Sequence, residues 1–356
     1  MKHIRKHARG VTLIELMVSM VIGLFLSGAV ISIYLAEIRI YQSSTSQAGI
    51  QNSENAIAAL VTPLVRSAGF NGCATLSQSI SNLNSGGSPP LGTLGASPNM
   101  LVGYEASSSG ALTIAQDNSA NDAQASDWSP ALDAALVGSV EASSDVLVLL
   151  GAAPGTSPVG VTAAPVGGTA LMLQNTGGLA AGQIGMVSDC LKASVFQITA
   201  VTSSTVSHAA GSGAMANSAS VLSANYAPGS QFIPLQQTAL YVAHGPGDQS
   251  ILVRATYSGG TWSAQPLVPG VEAMQVLYGA GSNGLVTQYV VANAVADWTK
   301  VYAVRLGFLL QGQLGSGTTS TIGSRQFTVL GNIITAPADG RLRHVYEMTV
   351  HMRNAI

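Results

Sequence analysis

The first feature of the chain is an uninterrupted apolar run. From Leu16 to Ala36 there are 21 residues without a charge, bracketed by Glu15 and Glu37. As a helix this run would extend ~31 Å, about the hydrocarbon thickness of a bilayer. Beyond it the pattern becomes one-sided. Ile50, Ile57, Leu60, Val61, Leu64 and Ala68 recur at spacings of three, four and seven, and Gln51, Ser53, Glu54 and Arg66 lie opposite. That periodicity predicts that the helix continues, with one face packed under a globular domain. Pro63 lacks an amide donor and should kink or open the last turns, and Gly69 is a good helix stop. The whole is one helix of about 55 residues.

The pattern changes again after the helix. Residues 72–130 are rich in Ser, Gly, Asn and Ala, which predicts long surface loops with a few short strands. Short Val-, Leu- and Tyr-rich runs follow, separated by Gly, Pro, Ser or Asn clusters. They are 145–150, 169–174, 194–201, 238–243, 251–257, 271–278, 285–291, 300–310, 327–333 and 344–352. In the last run Tyr346, Met348, Val350 and Met352 alternate with Glu347, Thr349 and His351, as in a strand with one buried face. With no helices between them, the strands should be antiparallel. The expected fold is α+β, one long helix packed on an antiparallel sheet domain.

Composition narrows the function. Charged residues make up only 8 % of the 356, and the 14 Lys and Arg against 16 Asp and Glu make no basic footprint for nucleic acid. Four of the basic residues fall within the first ten positions, leaving a remainder of 10 basic and 16 acidic residues with a formal charge of −6. Basic residues before a single span place the N-terminus in the cytoplasm and the bulk of the chain outside.

Three readings meet at the N-terminus. Ser27-Gly28-Ala29 could be the cleavage site of an ordinary signal peptide. The span could be a plain uncleaved anchor. The third uses Gly10: the segment Gly10-Val11-Thr12-Leu13-Ile14-Glu15-Leu16 resembles the processing site of type IV prepilins. That resemblance implies cleavage after Gly10 by a prepilin peptidase and N-methylation of Val11, where most of the family has Phe. It also implies that Glu15 pairs with the free amine of a neighbouring subunit during assembly. A carboxylate at the edge of a span calls for such a reason, because charge is costly there.

The resemblance extends along the chain. Several segments resemble the PilW family of minor type IV pilins: Leu64 to Cys73, Ser144 to Leu147, Ser188-Asp189-Cys190 with Phe196, Val268 to Gly279, Val304-Arg305, Arg341-Leu342-Arg343, and Arg353-Asn354. They occur in order and span nearly the whole chain. The resemblance implies a pilin-like fold with a leader at 1–10, a transmembrane helix half at 11–36, a soluble half at 37–69 and a β-rich domain at 70–356. It implies a minor pilin that primes pilus assembly in a tip complex and supports twitching motility and adhesion. The expected partners are other minor pilins, the major pilin, the prepilin peptidase, the inner membrane of a Gram-negative bacterium and a tip adhesin. A minor pseudopilin of a type II secretion system and a membrane-anchored adhesion module are the alternatives.

The two cysteines, Cys73 and Cys190, are both placed outside the cytoplasm by this topology, where a bridge is favoured over two buried thiols. No zinc motif is present, and no cofactor or catalytic constellation is expected. Asp117 to Asp122 has oxygen ligands at alternate positions but lacks the glycine and terminal glutamate of a calcium loop, so a solvated acidic loop is expected. Gly279-Ala280-Gly281-Ser282-Asn283-Gly284 fits the dinucleotide-binding pattern, but a strand-like run follows where a helix is required. It reads as a hairpin turn. His344 and His351, seven apart on one strand, point to opposite faces.

Overall fold

The computed structural model describes residues 12–70, 72, 79–84, 101–106, 112–114, 123–163, 167–213, 215–222, 224–245, 249–258, 261–317 and 325–353. The fold is one long N-terminal helix followed by a mostly-strand domain.

The helix runs Leu13–Ser67, 55 residues, and continues through Pro63. The hydrogen bond that Pro63 cannot make is owed to the carbonyl of Ala59, an exposed residue whose carbonyl water can serve. The buried positions are Ser46, Ile50, Ile57, Val61 and Val65, at spacings of four and seven. Leu60, placed in the apolar stripe by its spacing, is instead 42 % exposed. The helix ends at Ala68, and Gly69 takes up a positive φ of 73° just beyond it, as its place in the sequence predicts.

The helix lies against a four-stranded antiparallel sheet with the order Leu285–Val290, Val271–Ser282, Val301–Gln311, Arg343–His351. Ile57, Val61 and Val65 pack with Met274, Val276, Leu306 and Phe308 in one cluster, and Tyr346, Met348 and Met352 close its side. The alternation read in the last strand is therefore the sheet face that meets the helix.

A larger sheet is organised around one 14-residue strand, Gln231–His244. Its second half pairs with Val146–Ala152 on one side and Ser250–Ser258 on the other. Its first half pairs with Ile184–Ser188 and, through two residues, with Val159–Ala163. Two pairings are parallel, against expectation: Ser79–Ser81 with Ala193–Gln197, and Leu112–Thr113 with Asn332–Ala336. The run 327–333 is not one strand. It is a hairpin, Arg325–Val329 and Asn332–Ala336, turning at Leu330 (φ 49°) and Gly331 (φ 93°). The run 194–201 is likewise split, into Ala193–Gln197 and Ala200–Val201.

Candidate functional site

The helix head carries the candidate assembly chemistry. Thr12 caps the helix by accepting from the Glu15 amide at 3.3 Å, and the Glu15 carboxylate reaches back to the Thr12 amide at 3.4 Å. This reciprocal capping box satisfies two amides that a helix start otherwise leaves unpaired. Gly10 and Val11 lie outside the described residues. Below the globular domain the side chains from Leu13 to Glu37 are all exposed: Leu13 is 79 % exposed and Phe25 77 %. The apolar stretch has a mean hydropathy of 2.4 and is long enough to cross a membrane. This length of exposed apolar side chains needs lipid or other helices around it.

The domain grips the upper half of the same helix. The Gln313 amide donates to Ser46 Oγ at 3.2 Å, where the helix enters the domain. Ser53 Oγ donates to the Pro269 carbonyl at 3.4 Å, and His344 Nε2 lies 3.3 Å from Glu54 Oε1. At the top Ala68 bridges to Gly151, and the Gly69 amide donates to the Leu150 carbonyl at 3.1 Å. A Cβ on Gly151 would stand 2.8 Å from the Ser67 carbonyl oxygen, so only glycine admits the helix end there.

Two buried polar groups fasten the strands behind the helix. Arg343 makes bidentate contact with Glu272, at 2.6 Å from Nε and 2.8 Å from Nη2, and again with Asp339, at 2.7 Å twice. Burial pushes the Glu272 carboxyl up, against the pull of Arg343. Burial opposes the charge of Arg343 too, but its bonds to Glu272 and Asp339 outweigh that and hold it protonated. Gln311, with its amide turned to suit both neighbours, donates to Glu272 Oε1 at 2.9 Å and accepts from the Ser250 amide at 3.2 Å. The second group is Asp145. Its carboxylate accepts from the Ala106 amide at 2.9 Å and the Val276 amide at 2.8 Å. Burial first, then the nearby Glu105, push its carboxyl well above the ordinary value. Glu105 is turned inward beside it and accepts from the Ala292 amide at 3.2 Å, a placement that the loop-rich reading of residues 72–130 missed. The segments Leu64 to Phe70, Ser144 to Leu147, Val268 to Gly279 and Arg341 to Arg343 thus meet around one helix seat.

Comparison with known proteins bears on this arrangement. Residues 239–354 match the family described as Type IV Pilus-assembly protein W, and residues 5–31 match the prokaryotic N-terminal methylation motif. The chain thus resembles PilW-type pilins over its last third and at its N-terminus. The first match covers the helix-facing sheet and the Glu272–Arg343 group, and the second covers the start of the exposed helix. Among solved structures, a type IV-like pilin from Thermus thermophilus is 19 % identical over 50 % of this chain and 87 % of its own, with a TM-score of 0.22. No curated protein matches the chain.

The remaining sequence candidates fall as follows. Cys73 and the segment Asp117 to Asp122 lie outside the described residues. Cys190 sits in a turn at φ 68°, after the strand Ile184–Ser188, and the Asp189 carboxylate clamps the turn by accepting from the Leu191 and Lys192 amides. Gly72 stands close by, for a Cβ on it would be 3.4 Å from Ser188 Cβ. The Gly279–Gly284 segment is the expected hairpin, with Asn283 (φ 52°) and Gly284 (φ 76°) at its tip. His208 is buried, with Nδ1 3.1 Å from the Ser220 carbonyl oxygen and its ring against Phe196. His244 Nε2 lies 2.8 Å from Glu141 Oε2, a contact that spacing in the sequence does not signal.

Proposed function

We propose that this chain is a PilW-type minor pilin that acts in the priming of type IV pilus assembly, in a minor-pilin complex at the fibre tip, and so supports twitching motility and adhesion. The observation that carries this reading is the exposed helix half with a carboxylate at its head, held by a domain that grips only the upper half. A helix so displayed can leave lipid only by packing against helices of its own kind. In this reading residues 1–10 are a leader removed by the prepilin peptidase after Gly10, and Val11 is methylated. Residues 11–36 span the inner membrane of a Gram-negative cell with the N-terminus in the cytoplasm, and residues 37–69 form the soluble half of the helix. Residues 70–356 form the exported globular domain, with a Cys73–Cys190 bridge near the top of the helix. Other minor pilins, the major pilin and a tip adhesin are its neighbours. Glu15 then has two roles: it caps its own helix, and it pairs with the amine of the next subunit.

The test is a deletion of the gene with the N-terminus of the native protein read by mass spectrometry. Methylated Val11 and a fall in surface pili support the reading. Normal piliation with a loss of protein secretion would replace it by the secretion-system alternative, and a mature N-terminus at Val30 would end it.

A further inference from the structure

Basic side chains are scarce in this protein, and most of those outside the first ten positions have a partner. Lys192 sits on Asp189, Lys300 on Asp297, and Arg341 and Arg343 on Asp339, while Arg305 lies over the Tyr289 ring. Arg66 and Arg353 have no ion pair among the described residues, yet they line one cleft. The cleft is an open space of about 460 Å³ beside the last turns of the helix, and Thr62, Pro63, Ser67 and Phe70 complete it.

The nearest negative charge on the helix is that of its own C-terminus. A helix end supplies the equivalent of about −0.5 charge, against the two full positive charges here. Its carbonyls are also partly engaged: Leu64 accepts from Ser67 Oγ at 2.9 Å, Val65 from the Ala68 amide at 3.3 Å, and Ser67 from the Phe70 amide at 3.3 Å. The cleft therefore keeps a surplus of positive charge next to the apolar surfaces of Pro63 and Phe70. The rest of the chain beyond the first ten residues is acidic, with a formal charge of −6. Related subunits of similar composition would have carboxylates to present.

We propose that this cleft docks a carboxylate-bearing segment of a neighbouring pilin-type subunit. Arg66 and Arg353 hold the carboxylate, and Pro63 and Phe70 pack against the chain that carries it. The site continues up the same helix whose lower half faces other subunits, so the inference rests on the assembly reading above.

The experiment uses the full chain in piliated cells, with benzoylphenylalanine in place of Thr62 and the photo-adduct mapped by mass spectrometry. The expected adduct joins position 62 to an Asp- or Glu-containing peptide of another pilin-type subunit. In R66E/R353E the adduct should fall about tenfold or more, as expected for losing charge-assisted hydrogen bonds, and R66K/R353K should restore part of it. Both arginines are exposed, so the melting temperature of the detergent-solubilised variants should not change. An adduct to residues 354–356 of the same chain, an adduct to lipid, or an adduct unchanged in R66E/R353E would overturn the proposal. So would the absence of any adduct in a chain that is processed and incorporated. A chain that is neither processed nor incorporated would instead overturn the assembly reading beneath it.

Discussion

Arg343 and Glu272 are joined by two hydrogen bonds, 2.6 Å and 2.8 Å long, and neither side chain is more than 4 % exposed. Glu272 is the second residue of the strand Val271–Ser282 and Arg343 starts Arg343–His351, with Val301–Gln311 between them. The pair therefore ties two non-adjacent strands across the end of the sheet that seats the helix. Removing one partner strands the other in a dry site, which typically costs about 3–5 kcal/mol. Arg343→Met should lower stability by that order in chemical denaturation of the detergent-solubilised protein. Glu272→Gln should cost less, because Arg343 keeps Asp339. Equal stability of Arg343→Met and the parent protein would show that the pair contributes nothing net.

Asp145 makes stability depend on pH. Its folded-state pKa is raised, chiefly by burial, so the folded protein holds this proton more tightly than the unfolded chain does. Its contribution is full below about pH 4, near the ordinary Asp value, and is lost as pH rises through the folded-state value. Asp145→Asn keeps one acceptor oxygen and turns an amide N–H₂ toward either the Ala106 or the Val276 amide. The unmatched donor should cost about 1–3 kcal/mol. The variant also lacks the pH-linked decline, so its deficit should be largest at the acid end of the range and shrink as pH rises. A deficit that does not change with pH above about 4 would mean that Asp145 is ionised throughout.

The seat of the helix end depends on close backbone approach. Gly151→Val should press on the Ser67 carbonyl and shift the last turn, at a cost of about 1–3 kcal/mol. Val61→Asp, at a position with no exposure, should be worse, because an unpaired charge would enter the cluster. Limited proteolysis should report both as new cleavage near Ser67. Unchanged protease resistance in Gly151→Val would mean that the approach is not tight.

These contacts also show what the sequence exposed and what it hid. The helix is legible over its whole length, because its two halves carry different but regular patterns, and the strands of the helix-facing sheet, at 271–278, 285–291, 300–310 and 344–352, are legible for the same reason. Thr261–Pro269 was missed because Pro266 and Pro269 argue against a strand. It is an edge strand, where a missing amide donor is tolerated. The hairpin at Leu330-Gly331 was read as continuous because leucine seldom occupies a positive φ. Glu272, Arg343 and Asp145 stood inside segments that resemble the family, yet nothing in their spacing says that the first two meet across 71 residues. Glu15 was legible as a family mark. Its capping bond with Thr12 is also encoded in the Thr-x-x-Glu spacing.

The proposed Cys73–Cys190 bridge would close a loop of more than a hundred residues, for which the chain-entropy model gives ~4–5 kcal/mol before strain. The closeness of Gly72 to Ser188 supports it. Cys73→Ser and Cys190→Ser should each lower the melting temperature by a similar amount, and the double variant should be no worse than either. Two thiols titrating in the unreduced folded protein would rule the bridge out.

Glu15 can be tested by separating its two roles. The capping role needs an acceptor oxygen for the Thr12 amide, which glutamine also supplies. The assembly role needs a negative charge, which glutamine lacks. Glu15→Gln should therefore leave the helix start intact, as read by amide exchange at Thr12, and still be cut after Gly10, yet fail in cross-linking to other pilins. Glu15→Ala should lose both the capping bond and the cross-link. It should still insert in the membrane, since removing a charge from the edge of a span favours insertion. If Glu15→Gln assembles as well as the parent and only Glu15→Ala fails, the carboxylate works by capping its own helix. Pairing with a neighbouring amine would then have no part in how this subunit joins a fibre.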